Sequence, residues 1–385
     1  MNIKDFMRKF DTLFLNCKLI SNNNKFTLSF KMNEFELTKL PPEFDCETIP
    51  ILKALSNASR SLGQLKGEVT KIPNAGILLD TLILQEAKDS NEIENIVTTD
   101  DEIYQASVDE PVATLTAKEA LNYANAIKYG WDQIKAKGFL TTNDIVKTQS
   151  IISPNHPIRK LPGTSLKNSK TNEIIYVPPQ NPKTISKLLS NLDKYWNDAD
   201  FHKIDSLIKM PIIHYQFESI HPFYDGNGRT GRLLNILFLV QQGLIDIPVL
   251  YLSSYIIKNK DSYYELLQKV RTHDSWEEWI IWMLKGVEKT SNETIIVVNE
   301  IKKLIDEYKR VIKNDFSFYS HDLINILFKH PYTKIDFIER ELHIHRKTAA
   351  NYLNSLAESG LLIKTKRGKS NYYINEALLN ILKNR

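Results

Sequence analysis

Apolar residues recur at helical spacing through most of the chain. Ile51, Leu55, Ala58, Leu62 and Leu65 form one stripe, and Ile77, Leu78, Leu82, Leu84 and Ala87 form a second within residues 73–96. Two helices are predicted between residues 98 and 139, with Trp131 in the core. Another starts at Thr141-Thr142-Asn143-Asp144, and another covers 184–196. Residues 205–218 place Leu207, Met210, Ile213 and Phe217 on one side, whereas 233–240 are apolar nearly all round, as a buried helix requires. Trp276, Trp279 and Trp282, three apart, predict a packed closing helix, and a charged helix follows over 292–313. Alternating stretches are short. Residues 25–31 with Phe35-Glu36-Leu37 predict a small hairpin, and 159–164 with 174–179, flanking polar 168–172, predict another. Beyond Ser320, helices at 322–328, 333–342 and 345–359 precede two strands around Lys366-Arg367-Gly368-Lys369, the order of a winged helix-turn-helix. The fold class expected is mainly α.

Length and charge narrow this picture only a little. The chain has 385 residues, enough for two or three domains, and a net charge of +4, too small for a nucleic-acid coat. The charge is uneven, however: residues 320–385 hold 11 Lys/Arg against 6 Asp/Glu, a balance of +5. Cys17 and Cys46 have neither metal-ligand spacing nor a disulfide framework, which favours a reducing compartment or indifference to redox. No apolar run has membrane-spanning length and the first residues lack a signal-peptide core, so a cytoplasmic protein without a membrane partner is expected.

The chemistry is concentrated in His221-Pro222-Phe223-Tyr224-Asp225-Gly226-Asn227-Gly228-Arg229-Thr230-Gly231-Arg232. This loop joins two core helices, and the second begins near Asn227 or Gly228. A helix start offers unpaired N–H groups and the positive end of a dipole. Gly226 and Gly228 let the backbone form a concavity that a ligand can approach closely. Arg229 and Arg232 add forks that match phosphate oxygens, which makes an anion site suited to a polyphosphate. Asp225 is an oxygen ligand of the kind Mg²⁺ takes beside phosphates. His221, alone in the loop in titrating near neutrality, is the natural general base.

The same twelve residues resemble the signature HPFx(D/E)GNGRxxR of the Fic family at each of its nine specified positions. The resemblance implies a helical enzyme that transfers AMP from ATP to a Ser, Thr or Tyr hydroxyl of a protein, itself included. It implies His221 as the base, Asp225 as the Mg²⁺ ligand, and Gly226, Asn227 and Gly228 as the phosphate nest, with Thr230 and Gly231 beside it. Arg229 and Arg232 become clamps on the outer phosphates, and Asn259, Tyr263 and Tyr264 wall the adenine pocket. Ser90, Glu94 and Asn95 resemble the family's inhibitory motif (S/T)xxxE(G/N), carried on an N-terminal helix. Glu94 would then pair with Arg232 and take the place of a γ-phosphate. The hairpin between Thr164 and Val177 resembles the family's flap, along which a target protein docks strand to strand.

On this basis four regions are expected: an N-terminal Fic-associated region carrying the inhibitory helix (1–110), the catalytic core (111–290), a helical linker (291–319) and the winged helix (320–385). His345, Arg346, Lys347 and Asn351 on the third short helix, with Lys366, Arg367 and Lys369 in the wing, make a DNA footprint. Such modules also dock proteins or form homodimers, and these alternatives stand side by side. Two other functions remain open from sequence. One is a DNA-binding regulator whose core senses nucleotide. The other is a Fic enzyme that uses another nucleotide donor or removes AMP.

Overall fold

The structure is a computed structural model, and it describes residues 15–22, 25–32, 36–108, 113–167, 171–367 and 370–383. Its first strands, β1 (Leu15–Asn22) and β2 (Lys25–Met32), pair antiparallel in register from Leu15 opposite Met32 to Asn22 opposite Lys25. The helical body then begins with α1 (Ile49–Val69), which carries Pro50 in its first turn, where a missing N–H leaves no helical bond unmade. Helix α2 (Ala75–Ile93) starts at Asn74, whose side chain accepts from the Gly76 N–H. Helices α3 (Asp100–Val108) and α4 (Leu115–Lys137) follow, α4 ending on left-handed Gly138. The reciprocal cap of Thr141 and Asp144 opens α5 (Thr142–Ile152).

A short hairpin, β3 (Leu166–Lys167) with β4 (Ile174–Tyr176), interrupts the helices. Behind it stand α6 (Pro182–Asn197), α7 (Ser206–Ile220) and α8 (Asn227–Gln241). Every residue from Leu207 to Ile220 is buried, as are all those from Arg229 to Val240. These two packed helices therefore form the centre of the molecule, and the loop between them is held from both sides. Helices α9 (Leu252–Lys258) and α10 (Lys260–His273) lead to α11 (Trp276–Asp315), which runs along α1. Trp279 donates from Nε1 to the Pro211 carbonyl at 2.9 Å and stacks on both His214 and Trp282, tying α11 to α7.

The C-terminal module comprises α12 (His321–Lys329), β5 (Tyr332–Thr333), α13 (Ile335–Leu342), α14 (Arg346–Glu358), β6 (Ile363–Arg367), β7 (Ser370–Ile374) and α15 (Glu376–Lys383). Its sheet has the order β5-β7-β6. The module rests on α2 and α3: Tyr332 Oη donates to Asp101 at 2.8 Å, and Lys383 pairs with the same carboxylate at 3.1 Å. No helix among the described residues is long and apolar enough to cross a membrane.

Several elements differ from the sequence expectation. The first hairpin pairs 25–32 with 15–22 rather than with 35–37, because Leu15–Asn22 supplies the longer extended partner. Residues 36–39 are irregular, and 33–35 lie outside the described residues. Tyr332 and Thr333 belong to the sheet, so the second short helix starts at Ile335 instead of Thr333, and α15 is an addition. The closing helix and the charged helix are one helix of 40 residues that passes straight through position 290. Trp131 is half-buried, its ring covered by the Lys135 ammonium at 3.7 Å.

The meeting of α4 with α8 depends on one residue. A Cβ at Gly130 would stand 2.2 Å from Leu237 Cδ1, inside the closed core. Gly63, on the exposed face of α1, has open space around it. Gly130→Leu should therefore cost about 1–3 kcal/mol by overpacking, while Gly63→Ala should gain up to about 1 kcal/mol from helix propensity. Denaturant titration followed by circular dichroism checks both signs.

Candidate active site

Helix α7 ends at His221, which adopts the left-handed φ of 47° and turns the chain out of the helix. Asn227 closes the turn that follows. Its Oδ1 accepts from the Phe223 N–H and its Nδ2 donates to the Phe223 carbonyl, both at 2.8 Å. Gly226, at φ 79°, then caps α8 without a side chain, so no cap covers the first N–H groups of that helix.

Glu94 lies at that opening. A Cβ on Gly228 would stand 2.3 Å from Glu94 Oε1, so the carboxylate rests against the backbone of the nest. Arg232 Nη2 donates to Glu94 Oε1 at 2.8 Å and to the Ser90 carbonyl at 2.9 Å, while Nε donates to Ser90 Oγ at 2.9 Å. The guanidinium is only 1% exposed. Burial alone would favour losing its proton, but Glu94 outweighs that and holds the charge in place. Asn95 follows Glu94 at φ 62°, a conformation that Asn and Gly adopt most readily. The Glu-(Gly/Asn) pairing of the motif thus has a backbone reason.

Arg229 is held as firmly. Its Nη1 donates to Glu119 on α4 at 2.7 Å and its Nη2 to Asp225 at 3.2 Å, with 5% of the side chain exposed. Asp225 also accepts from Ser153 Oγ at 2.5 Å. Although burial pushes the other way, Ser153 and Arg229 keep this carboxyl below its ordinary range and therefore ionised. His221 Nδ1 is buried without a hydrogen-bond partner. Burial first, then the charges of Arg159 and Arg271, push the imidazole down to about 4, so it is neutral at pH 7.

Behind the loop the core is polar. His214 bonds through Nε2 to Tyr263 Oη at 2.8 Å and through Nδ1 to the Gly231 carbonyl at 3.1 Å, and burial pushes its pKa down to about 3. Glu86, fully buried, accepts from the Ser253 N–H at 3.1 Å, from the Ser253 hydroxyl and from Tyr123 Oη at 3.1 Å. Burial pushes Glu86 up to about 8, against the effect of the Ser253 bonds. Glu86 and Ser90 are four apart on the inner face of α2, and Glu94, four further on, caps its C-terminus.

The structure separates the expected site residues into two groups. Asp225, Gly226, Gly228, Arg229 and Arg232 gather around the opening at the start of α8, where Glu94 reaches Gly228 and Arg232, and His221 precedes them at the end of α7; Ser90 is fully buried and holds Arg232, while Asn95 Oδ1 accepts from Lys260 at 3.2 Å. Asn227, Thr230 and Gly231 do not face that opening. Asn227 is spent on closing the turn, Thr230 is buried, and Gly231 packs on Phe217 and Glu218 of α7. Tyr263 is corrected as well. It is 1% exposed and hydrogen-bonded to His214, so it presents no face to an adenine. Tyr264 next to it is half-exposed with its ring edge-on to Tyr263, and Asn259 Nδ2 donates to the Tyr255 carbonyl at 2.8 Å. Glu119, Ser153, Arg159, Glu86 and His214 were missed, because each acts through a partner distant in sequence and lies in no motif.

In the C-terminal module His345, Arg346, Lys347 and Asn351 are exposed on α14, and Lys366 is exposed on β6. Arg346 is already paired with Asp336 and Glu339. The side chain of Arg367, and Lys369, lie outside the described residues. Among the described residues no group of three or more His, Cys, Asp and Glu is placed to hold a metal ion.

A central pair of buried helices whose loop carries a histidine, a carboxylate and two guanidiniums around a helix start is the arrangement expected of a helical protein of the Fic type. Comparison with known proteins agrees. The Fic/DOC family N-terminal model matches residues 52–132, the Fic/DOC family model 139–239, and the model of the SoFic-like protein adenylyltransferase C-terminal domain 304–378. The chain thus carries the N-terminal, central and C-terminal domains of Fic proteins. It is 27% identical over 233 residues to a probable protein adenylyltransferase of Aquifex aeolicus, covering 60% of this chain and 65% of that relative. It is 30% identical over 135 residues to protein adenylyltransferase fic-1 of Caenorhabditis elegans, covering 34% of this chain and 26% of that relative. The chain thus matches less than two thirds of the length of these curated relatives. The fold is similar to that of a Fic family protein from Desulfovibrio desulfuricans, with a TM-score of 0.56 and 18% identity, covering 87% of this chain and 98% of that one. It is also similar to that of Fic-1 from C. elegans, with a TM-score of 0.51 and 20% identity over 66% of this chain and 75% of that one.

Glu86 gives a stability test. Its folded pKa of about 8 lies above its ordinary 4.5, so the folded state binds the extra proton between those values. Its contribution is fully present below pH 4.5 and is lost as pH rises towards 8. Glu86→Gln should remove this dependence, and the slope of unfolding free energy against pH in that window measures it.

Proposed function

We propose that this chain is a protein adenylyltransferase that transfers AMP from ATP to a protein hydroxyl and is held off by its own Glu94. The observation that carries the proposal is the position of the Glu94 carboxylate, against Gly228 and on Arg232, where the outer phosphate of a triphosphate would lie. While Glu94 is there, a γ-phosphate loses the Arg232 fork and meets a negative charge. Withdrawal of Glu94 frees both the guanidinium and the N–H groups of α8.

His221 then removes the proton of an acceptor hydroxyl, and the oxygen attacks the α-phosphorus. The bond to the β-phosphate breaks, pyrophosphate leaves, and AMP remains on the acceptor. The neutral state of His221 at pH 7 suits this role, because a protonated imidazole could not accept. Asp225, half-exposed and ionised, fits a single protein ligand for Mg²⁺ carried with the nucleotide phosphates and water. Such an ion supplies positive charge to the leaving pyrophosphate. The target is read as a segment lying along the flap, where Ile174 and Ile175 are half-exposed and a short strand edge offers main-chain pairing.

Incubation with ATP labelled at the α-phosphate tests the reading. Glu94→Gly should raise label on protein by about 10- to 100-fold, the factor that ~1.5–3 kcal/mol of a charge-assisted hydrogen bond represents. His221→Ala in that background should lower it by about 10²–10⁴-fold. Equal labelling with and without Glu94, or label that persists without His221, would contradict the proposal. Transfer of only the γ-phosphate label would indicate kinase-like chemistry.

A second activity, DNA binding by the C-terminal module, is supported by the exposed His345, Lys347 and Asn351 on α14 and by Lys366. Because Arg346 is internally paired, the footprint is weaker than the sequence implied. Lys347→Glu with Lys366→Glu should weaken binding to duplex DNA and flatten its salt dependence, read by fluorescence anisotropy. Binding unchanged by both substitutions would point to protein docking or dimer formation instead.

A further inference from the structure

Behind the loop stands a buried cation that the proposed reaction does not use. Arg159 is 1% exposed and precedes the flap hairpin. Its Nε donates to the His221 carbonyl at 2.7 Å, and its Nη2 donates to the Ile220 carbonyl at 3.2 Å and the Pro179 carbonyl at 2.9 Å. Its backbone N–H donates to the Pro222 carbonyl at 2.9 Å, and Ile158 bridges antiparallel to Phe223. One residue therefore grips three consecutive carbonyls, 220–222.

These carbonyls lie where α7 ends, and a helix end leaves its last carbonyls without helical donors. Buried and unpaired they would be costly. A non-glycine residue in the left-handed region is strained and must be held by its surroundings, and His221 is such a residue. The neighbouring carbonyl of Ser219 is served by the flap, since Tyr176 Oη donates to it at 2.7 Å. Arg271 covers the Tyr176 ring at 4.1 Å and donates to Ser219 Oγ at 3.2 Å. The flap base, through Pro179 and Tyr176, and the His221 turn are thus bound into one unit.

We propose that Arg159 is a positioning residue for His221: its fork holds the turn that aims the imidazole and fixes that turn to the base of the flap. The base and the strand edge that presents the acceptor then keep one mutual distance. This deepens the adenylyltransferase reading and rests on His221 as its base. The charged groups that act on His221 are Arg159, Arg271 and Glu94.

The test uses the full chain with Glu94→Gly as parent, adding Arg159→Gln or Arg159→Lys. The rate at saturating ATP, the KM for ATP, and the His221 titration by NMR, assigned with His221→Ala, are measured. Arg159→Gln should lower kcat by about 10²-fold, the cost of an ångström-scale misplacement, at unchanged KM for ATP. It should also move the His221 titration to higher pH, because a neighbouring positive charge is gone. Arg159→Lys should keep the titration near the parent value and still lower kcat, since an ammonium cannot reproduce the planar fork. Parent-like kcat in folded variants, or a His221 titration unmoved by Arg159→Gln, would overturn the proposal. If Arg159→Gln does not fold, Arg159→Lys decides: reduced kcat with a parent-like titration supports the proposal, and parent-like kcat overturns it. Should the parent transfer no AMP, the functional reading fails, while the NMR titration still reports on the hold of Arg159.

Discussion

The pairing of Arg232 with Glu94 is the interaction on which the rest depends. A guanidinium this deeply buried cannot stand alone, because an uncompensated buried charge costs several kcal/mol. It must have an anion, and α2 supplies one in the form of Glu94, with Ser90 taking two further N–H groups. A polyphosphate could take the same place, since it brings the same charge to the same fork and to the N–H groups beside Gly228. Under the proposed function the site exchanges two anions, one covalently part of the chain.

That exchange is coupled to more than one helix. Glu86, two turns before Glu94, holds the start of α9 through Ser253 and reaches α4 through Tyr123. Beyond α2, Asp100 takes Lys88 and Gln85, and its neighbour Asp101 takes Tyr332 and Lys383 of the C-terminal module. Two adjacent carboxylates thus connect the helix that carries Glu94 to the winged module. Movement of Glu94 out of the nest is opposed by these contacts as well as by its own bond to Arg232.

The sequence revealed what was contiguous and hid what was not. The loop from His221 to Arg232 carries its chemistry in twelve neighbouring residues, so base, carboxylate and forks were legible at once. The pairing of Glu94 with Arg232, 138 residues apart, was expected only from resemblance to a family motif. Arg159 to His221 and Glu119 to Arg229 span 62 and 110 residues and leave no periodic trace. Tyr263 and Tyr264 were treated alike, but adjacent positions on a helix point about 100° apart, so one ring enters the core and the other faces out. The long α11 was divided because its composition becomes more charged in its second half, although its apolar stripe stays buried as far as Ile312 and its backbone does not break. Gly231, expected beside the nest as a nucleotide-binding residue, packs instead on Phe217 and Glu218 of α7.

The central claim is that Glu94 and the outer phosphate of ATP compete for Arg232. A structure of the Glu94→Gly protein with Mg²⁺ and ATP tests it most directly. The account predicts the γ-phosphate on Arg232, the phosphates along the Gly226–Gly228 turn, and the α-phosphorus facing His221. Nucleotide bound elsewhere, with Arg232 turned to another protein carboxylate and His221 shut off from phosphorus, would contradict it.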